Sequence, residues 1–274
     1  MSHRLLLTYV SAAPPQAEAP APPPAKVAVL TLHHAAKRNA LDAALCQAIE
    51  QALHTAAAEG AQAAVLTGEG PVFCAGSDIS SLPEEPDPAW LRGHGPLQSA
   101  MYAVSQGPLP VVAALNGPAI GAGCELALSC DLRVAHPEVT LQMPPVRLGL
   151  VYTPEGIQRL IALCGLGRTR ELLLTARAID AAEAFSWGLL NRVVVAEQVF
   201  ACALQLAQVL AAQPRLAMAG TRRLIEQLLT ASSQLSAEQA VVTLQLRDEA
   251  WRSNEARTAR SRFRSPPKKP PTTP

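Results

Sequence analysis

The stretch PVVAALNGPAIGAGCELALSCDLRVA, residues 110–135, decides how the rest of the chain is read. Val111 to Leu115 is a short, unbroken apolar run, the pattern of a strand buried on both faces. Asn116-Gly117-Pro118 ends it. Gly121-Ala122-Gly123 follows, with side chains small enough for a ligand to lie against the backbone. Cys124 to Ser129 then reads as a helix, leading into a second strand. Amides near Ala122 therefore leave a helix N-terminus unpaired and partly positive, a place that favours an oxyanion. Glu125 sits one turn inside. A donor aimed at developing negative charge, beside a carboxylate able to move a proton, makes a catalytic unit. The competing reading is local: glycines that permit close packing, and a first-turn acid stabilised by the helix dipole. This stretch alone leaves both open.

Upstream, Leu5 to Val10 and Lys26 to Leu32 read as two strands. The Pro/Ala-rich insert between them, SAAPPQAEAPAPPPA, must be extended and solvent-facing, so it lengthens a hairpin loop. His33 to Leu41 is a loop that Asp42 converts to a helix by capping it, with Leu45, Ile49, Leu53 and Ala56 on one face. The paired histidines read as surface loop, because no third metal ligand lies nearby. Lys37 and Arg38 either meet a phosphate or face water. Ala63 to Leu66 is the next buried strand. In the turn after it, Ala75-Gly76-Ser77 exposes amides with little side-chain cover, a second candidate donor. The alternative is a plain turn in which Asp78 caps the next element. Residues 82–95 read as loop, and a helix from about Pro96 to Ser105 delivers the chain to the opening stretch.

Downstream, Val139 begins a short strand, followed by a proline-punctuated loop and a helix from Gly156. Long loops inside compact domains are often functional. Tyr152 and Glu155 are the polar candidates of this one, although a tyrosine there also suits packing. Helices are expected over Thr169–Thr175, Ala181–Trp187, Glu197–Ala212, Arg215–Leu229 and Ala237–Arg260. With little sheet to rest on, the last of these suggest a cover over the core or a subunit interface. The organisation expected is an N-terminal strand plus insert over 1–25, a core over 26–195, a helical region over 196–262 and a disordered tail over 263–274.

Composition narrows the classes. Half the residues are hydrophobic (49%), with aromatics at only 4%, which supports a large core of small and aliphatic side chains. A net charge of +1 argues against nucleic-acid or membrane-surface binding driven by charge. Six scattered cysteines without a CxxC pair read as small buried residues in a reducing compartment. No apolar run has the length of a signal core or membrane span, so a soluble, cytoplasmic protein is expected.

Taken together, KRNALD (37–42), FCAGSDI (73–79), the 110–135 stretch and ELLLTARAIDAAEAFSWGLLNRVV (171–194) resemble the crotonase superfamily, the enoyl-CoA hydratase/isomerase family, over roughly residues 26–260. That resemblance implies an α/β fold, a crotonase-like spiral of β-β-α units with a C-terminal helical trimerisation region. It implies an acyl-CoA thioester as substrate, with coenzyme A as part of the substrate and no separate cofactor. A homotrimer or a dimer of trimers is expected, with no metal, nucleic acid or membrane. By the same resemblance the amides of Ser77 and Ala122 form the oxyanion hole. Lys37, Arg38 and Ala40, with Ala75, Gly76, Asp78, Ile79 and Gly121, cradle CoA and substrate, and Glu125 matches the first catalytic glutamate of hydratases.

One departure matters: hydratases have a second glutamate where this chain has Pro145. Adding water across a double bond divides proton work between two carboxylates in those enzymes, and proline can do none of it. The finer likeness, in FCAGSDISSLPEEPDP (73–88) and MPPVRLGLVYTPEGIQRL (143–160), is to the methylmalonyl-CoA decarboxylase type. There Tyr152 matches a catalytic candidate, and Ser77 stands where that type can have histidine. The expected activity is decarboxylation of a short 2-carboxyacyl-CoA. The alternatives are an isomerase using Glu125 alone, a hydratase recruiting Glu155, and a non-catalytic acyl-CoA-binding protein.

Overall fold

A computed structural model describes residues 4–12, 25–83, 85, 95–231 and 237–264. Strands β1 (Leu5–Ala12) and β2 (Ala25–Leu32) pair antiparallel from Leu5 against Leu32 to Ala12 against Ala25. The proline-rich insert thus joins the two arms of a hairpin; residues 13–24 lie outside those described. β3 (Ala61–Gly68), β4 (Val111–Leu115), β6 (Leu132–Ala135) and β9 (Arg192–Val193) extend the sheet in parallel, in the order β1-β2-β3-β4-β6-β9. A smaller sheet, β5-β7-β8, is built from Ala119–Ile120, Thr140–Gln142 and Ala178–Asp180.

All five residues of β4 are buried, as expected of a parallel strand covered on both faces. On one face lie α1 (Ala43–Ala58), α2 (Pro96–Gln106) and α3 (Ala122–Ser129). Asp42 starts α1 by accepting from Leu45 N at 2.9 Å, and the four apolar positions read from its sequence are all buried. The other face, Val27, Ala63, Val65, Val112, Ala114 and Val134, is closed by α6 (Val199–Ala211) through Val199, Ala203, Ala207 and Ala211. This corrects the expectation that the C-terminal helices have little sheet to rest on. Alternate faces of α6 explain it: alanine every fourth residue lets the helix sit close on a valine-rich sheet.

Two further boundaries differ from the sequence reading. The helix expected from Gly156 begins at Pro154, with Thr153 as its cap, and runs as α4 (Pro154–Arg170) across a kink at Gly165 into a π-helical turn, Glu171–Thr175. The single helix expected over Ala237–Arg260 is two, α8 (Ala237–Arg252) and α9 (Asn254–Arg264). Ser253 breaks them, its hydroxyl accepting from Ala256 N at 3.1 Å. α5 (Ala181–Ser186) and α7 (Arg215–Ala231) complete the set. Most of the loop over 82–95 lies outside the described residues, as does the tail expected over 263–274 apart from its first two positions, which belong to α9.

Candidate active site

Two turns meet at the centre of the molecule. The first, Ala75–Asp78, is zipped to the Lys37–Leu41 loop: Ala75 N donates to Arg38 O (3.0 Å), Leu41 N to Gly76 O (2.7 Å) and Asp78 N to Leu41 O (2.8 Å). The second is the approach to α3, where Ile120 N donates to Cys74 O at 3.0 Å. Gly76, at φ 95°, makes the contact possible: a Cβ there would stand 2.6 Å from Ile120 O and 3.4 Å from Ala122 N. The turns bearing Ser77 and Ala122 therefore lie backbone to backbone. Among the described residues, neither amide donates a hydrogen bond. Ala122 is the first residue of α3, after Gly121 as its cap, so its N–H is one of the orphan donors of a helix start.

The residues read from the sequence as a CoA cradle lie on these two turns and on the Lys37–Leu41 loop. Ala40 is buried and Arg38 is exposed, in the left-handed conformation at φ 53°. Lys37, open to either phosphate or water on sequence alone, binds Asp78 Oδ2 at 2.6 Å. Burial pushes the Asp78 carboxyl up, but Lys37 and Ser80 together hold it below its ordinary value. Asp78 also caps the 3-10 turn that begins at Ile79, accepting from Ser80 N at 3.0 Å. Both the cap and the ion pair hold the turn.

Glu125 is buried (4 % exposed), and its Oε2 accepts a very short hydrogen bond from the Tyr152 hydroxyl. Its Oε1 has no partner among the described residues. Burial raises the Glu125 pKa, against the pull of the Tyr152 bond and of Arg159. Burial, and then the Glu125 charge, raise Tyr152 well above the ordinary phenol, so it stays a donor. Gly156 leaves room for the pair: a Cβ there would lie 2.4 Å from Tyr152 Cε1 and 2.9 Å from Glu125 Oε1. Pro144 Cδ stands 3.8 Å from where a Cβ on Gly121 would be, so the Pro144-Pro145 segment faces the Gly121–Ala122 turn and brings no carboxylate to it. Glu155, in the first turn of α4, adds its field to Glu125 and holds Oε2 buried without a described partner.

The cover comes from the same chain. α9 packs over the Ile79–Ser81 turn and the Pro145–Leu148 turn, with Ala256 fully buried against Gly149. Sequence reasoning missed three contributors. Asn39 is fully buried and donates from Nδ2 to Glu69 O (2.9 Å) and Val72 O (2.8 Å), fixing the loop beside the first turn. Arg159 and Arg247 place positive charge near Glu125. Asn39 sat inside the quoted KRNALD segment; nothing local marks either arginine.

Against known proteins, the profile of the family described as enoyl-CoA hydratase/isomerase matches residues 23–267. A "probable enoyl-CoA hydratase" of Mycobacterium tuberculosis is 42% identical over 171 residues, covering 61% of this chain and 67% of that protein. A 2,3-dehydroadipyl-CoA hydratase of Escherichia coli is 34% identical over 204 residues, covering 74% and 79%. Among solved structures, a methylmalonyl-CoA decarboxylase in complex with 2-nitronate-propionyl-CoA superposes with a TM-score of 0.82 at 28% identity, covering 86% of this chain and 91% of that one.

Proposed function

The chain belongs to the enoyl-CoA hydratase/isomerase family, and from that premise we propose that it decarboxylates a short 2-carboxyacyl-CoA through a thioester enolate. The observation that carries this reading is the enclosed Tyr152–Glu125 pair, with Pro145 where a second glutamate would serve hydration. Two of the similar proteins are named for acyl groups that bear a free carboxylate, methylmalonyl and dehydroadipyl.

The chemistry suits one buried carboxyl rather than two. Breaking the bond between the alpha carbon and its carboxylate sends the electron pair into the enolate, with negative charge on the thioester oxygen. Carbon dioxide leaves, so no base has to remove a carbon-bound proton. The Ser77 and Ala122 amides receive the oxyanion, each donor contributing about 3 kcal/mol to the barrier. Glu125, whose burial keeps its proton to higher pH than an ordinary glutamate, then supplies that proton to the alpha carbon. It regains one from solvent through Tyr152.

Hydration is the second reading, favoured by Glu155 with its buried, unpartnered Oε2 near Glu125. Two variants separate the readings. Tyr152→Phe should lower turnover of methylmalonyl-CoA on the order of a hundredfold while leaving CoA-ester binding largely intact. Pro145→Glu should raise hydration of crotonyl-CoA from a low baseline. Unchanged decarboxylation in Tyr152→Phe would overturn the role given to the pair.

A further inference from the structure

The first turn of α4 carries a glycine that its own helix does not call for. Gly156 is the third residue of that helix, after the Thr153 cap and Pro154, and it is buried. Its φ lies outside the left-handed region, so the backbone has no need of glycine there. Alanine is the better helix former at such a position. A glycine that weakens its helix without serving the backbone is explained by what surrounds it.

The surroundings are three side chains. A Cβ on Gly156 would stand 2.4 Å from Tyr152 Cε1, 2.9 Å from Glu125 Oε1 and 3.0 Å from Thr153 Oγ1. Other tight glycines differ. At Gly68, Gly117 and Gly123 the atom met first is a backbone carbonyl oxygen, so those residues let two chain segments cross. Farther along α4, Gly167 would meet nothing within 4 Å. What Gly156 makes room for is the pair itself, in which the Tyr152 hydroxyl donates to Glu125 Oε2. Thr153 is tied in place, since its Oγ1 accepts from Gly156 N at 3.1 Å. Tyr152 is only half-buried, so its ring is the part with room to yield to an added methyl group.

We propose that Gly156 is a positioning residue for the reaction: by lacking a side chain it lets the Tyr152 ring lie against α4 and deliver its hydroxyl to Glu125. This rests on the enolate reading above, in which that pair handles the proton. Gly156 has no side chain to offer a substrate and acts through the bond alone. Catalytic geometry tolerates little, a displacement of about 1 Å costing on the order of a hundredfold in rate. Gly156→Ala should therefore lower kcat for methylmalonyl-CoA about tenfold or more and leave KM within about twofold.

Position and folding are separated by three measurements. The chain has three tyrosines, Tyr9, Tyr102 and Tyr152, so the whole protein labelled with carbon-13 at tyrosine Cζ gives three NMR signals, and Tyr152→Phe identifies one of them. Gly156→Ala should move the Tyr152 signal and leave the other two in place. Gly167→Ala, the same change in the open part of the helix, should move none. Adding Gly156→Ala to Tyr152→Phe should lower kcat no more than about twofold further, because the bond it acts through is already gone. Thermal melting covers a variant that folds poorly: in a Tyr152→Ala background, where the ring is absent, Gly156→Ala should not lower the midpoint. An unmoved Tyr152 signal in Gly156→Ala would overturn the proposal. So would a full tenfold loss on top of Tyr152→Phe, or a lower midpoint without the ring. The spectra and melting curves need no substrate, so they stand even if the unmodified protein releases no carbon dioxide. Failure of the reaction and failure of the positioning role are thus told apart.

Discussion

Glu125 is held between burial, which favours its neutral form, and the Tyr152 and Arg159 groups, which favour its charge; burial wins. A carboxyl whose pKa is raised on folding stabilises the folded state at low pH, and that contribution is lost as pH rises through the folded value. Glu125→Gln removes the titration. Its stability relative to the unmodified protein should be smallest near pH 5 and should exceed it by about 1 kcal/mol at pH 8, measured by urea unfolding. A variant less stable at pH 8 would contradict the sign. Asn39 offers the opposite case. It sits at φ 56° and closes three carbonyls, of Glu69, Val72 and Phe73. Asn39→Ala should cost about 3 kcal/mol in the same assay, because buried acceptors lose their donor and alanine resists the backbone angle. Glu125, Ser77 and Ala122 could be picked out as candidates because small-residue turns and a first-turn acid are local features. Arg222 could not, for its partners lie up to 118 residues away.

At the level of elements, periodicity located the helices and left their joints unresolved. The stop at Ser253 is a cap in the middle of a continuous polar-apolar pattern, so only the chain's turn toward Gly149 reveals it. The π-helical turn after Arg170 is invisible for the same reason, since one extra residue hardly disturbs a 3.6-residue repeat. The most consequential contact between elements is α9 on the loop before α4. A Cβ at Gly149, whose φ is 69°, would stand 2.2 Å from Ala256 Cβ, which no side chain can tolerate. Gly149→Val should therefore lift α9. Hydrogen exchange should rise across residues 254–264 while the β2–β3–β4 sheet keeps its protection, and turnover should fall about tenfold or more as the cover opens. Unaltered exchange in α9 would show that the helix does not depend on that seat.

For the whole molecule, the parallel sheet, its helical cover and the family could be read from ordered motifs, whereas the assembly could not be read from one chain. α7 and α8 show water Leu216 (91 % exposed), Leu224, Leu228 (73 %), Val241 and Leu246. An apolar display of that kind marks an interaction surface. A trimer or a pair of trimers is expected by light scattering; a monomer at micromolar concentration would contradict it. At this scale too stands the central claim, that one buried carboxyl paired with a tyrosine serves an enolate formed by losing carbon dioxide. The measurement that tests it most directly is a side-by-side assay of the unmodified protein on methylmalonyl-CoA and crotonyl-CoA, following released carbon dioxide and added water. Carbon dioxide from methylmalonyl-CoA with little hydration of crotonyl-CoA is the result expected. Brisk hydration of crotonyl-CoA, with no carbon dioxide from malonyl-, methylmalonyl- or ethylmalonyl-CoA, would contradict it and pass the second proton-transfer role to Glu155.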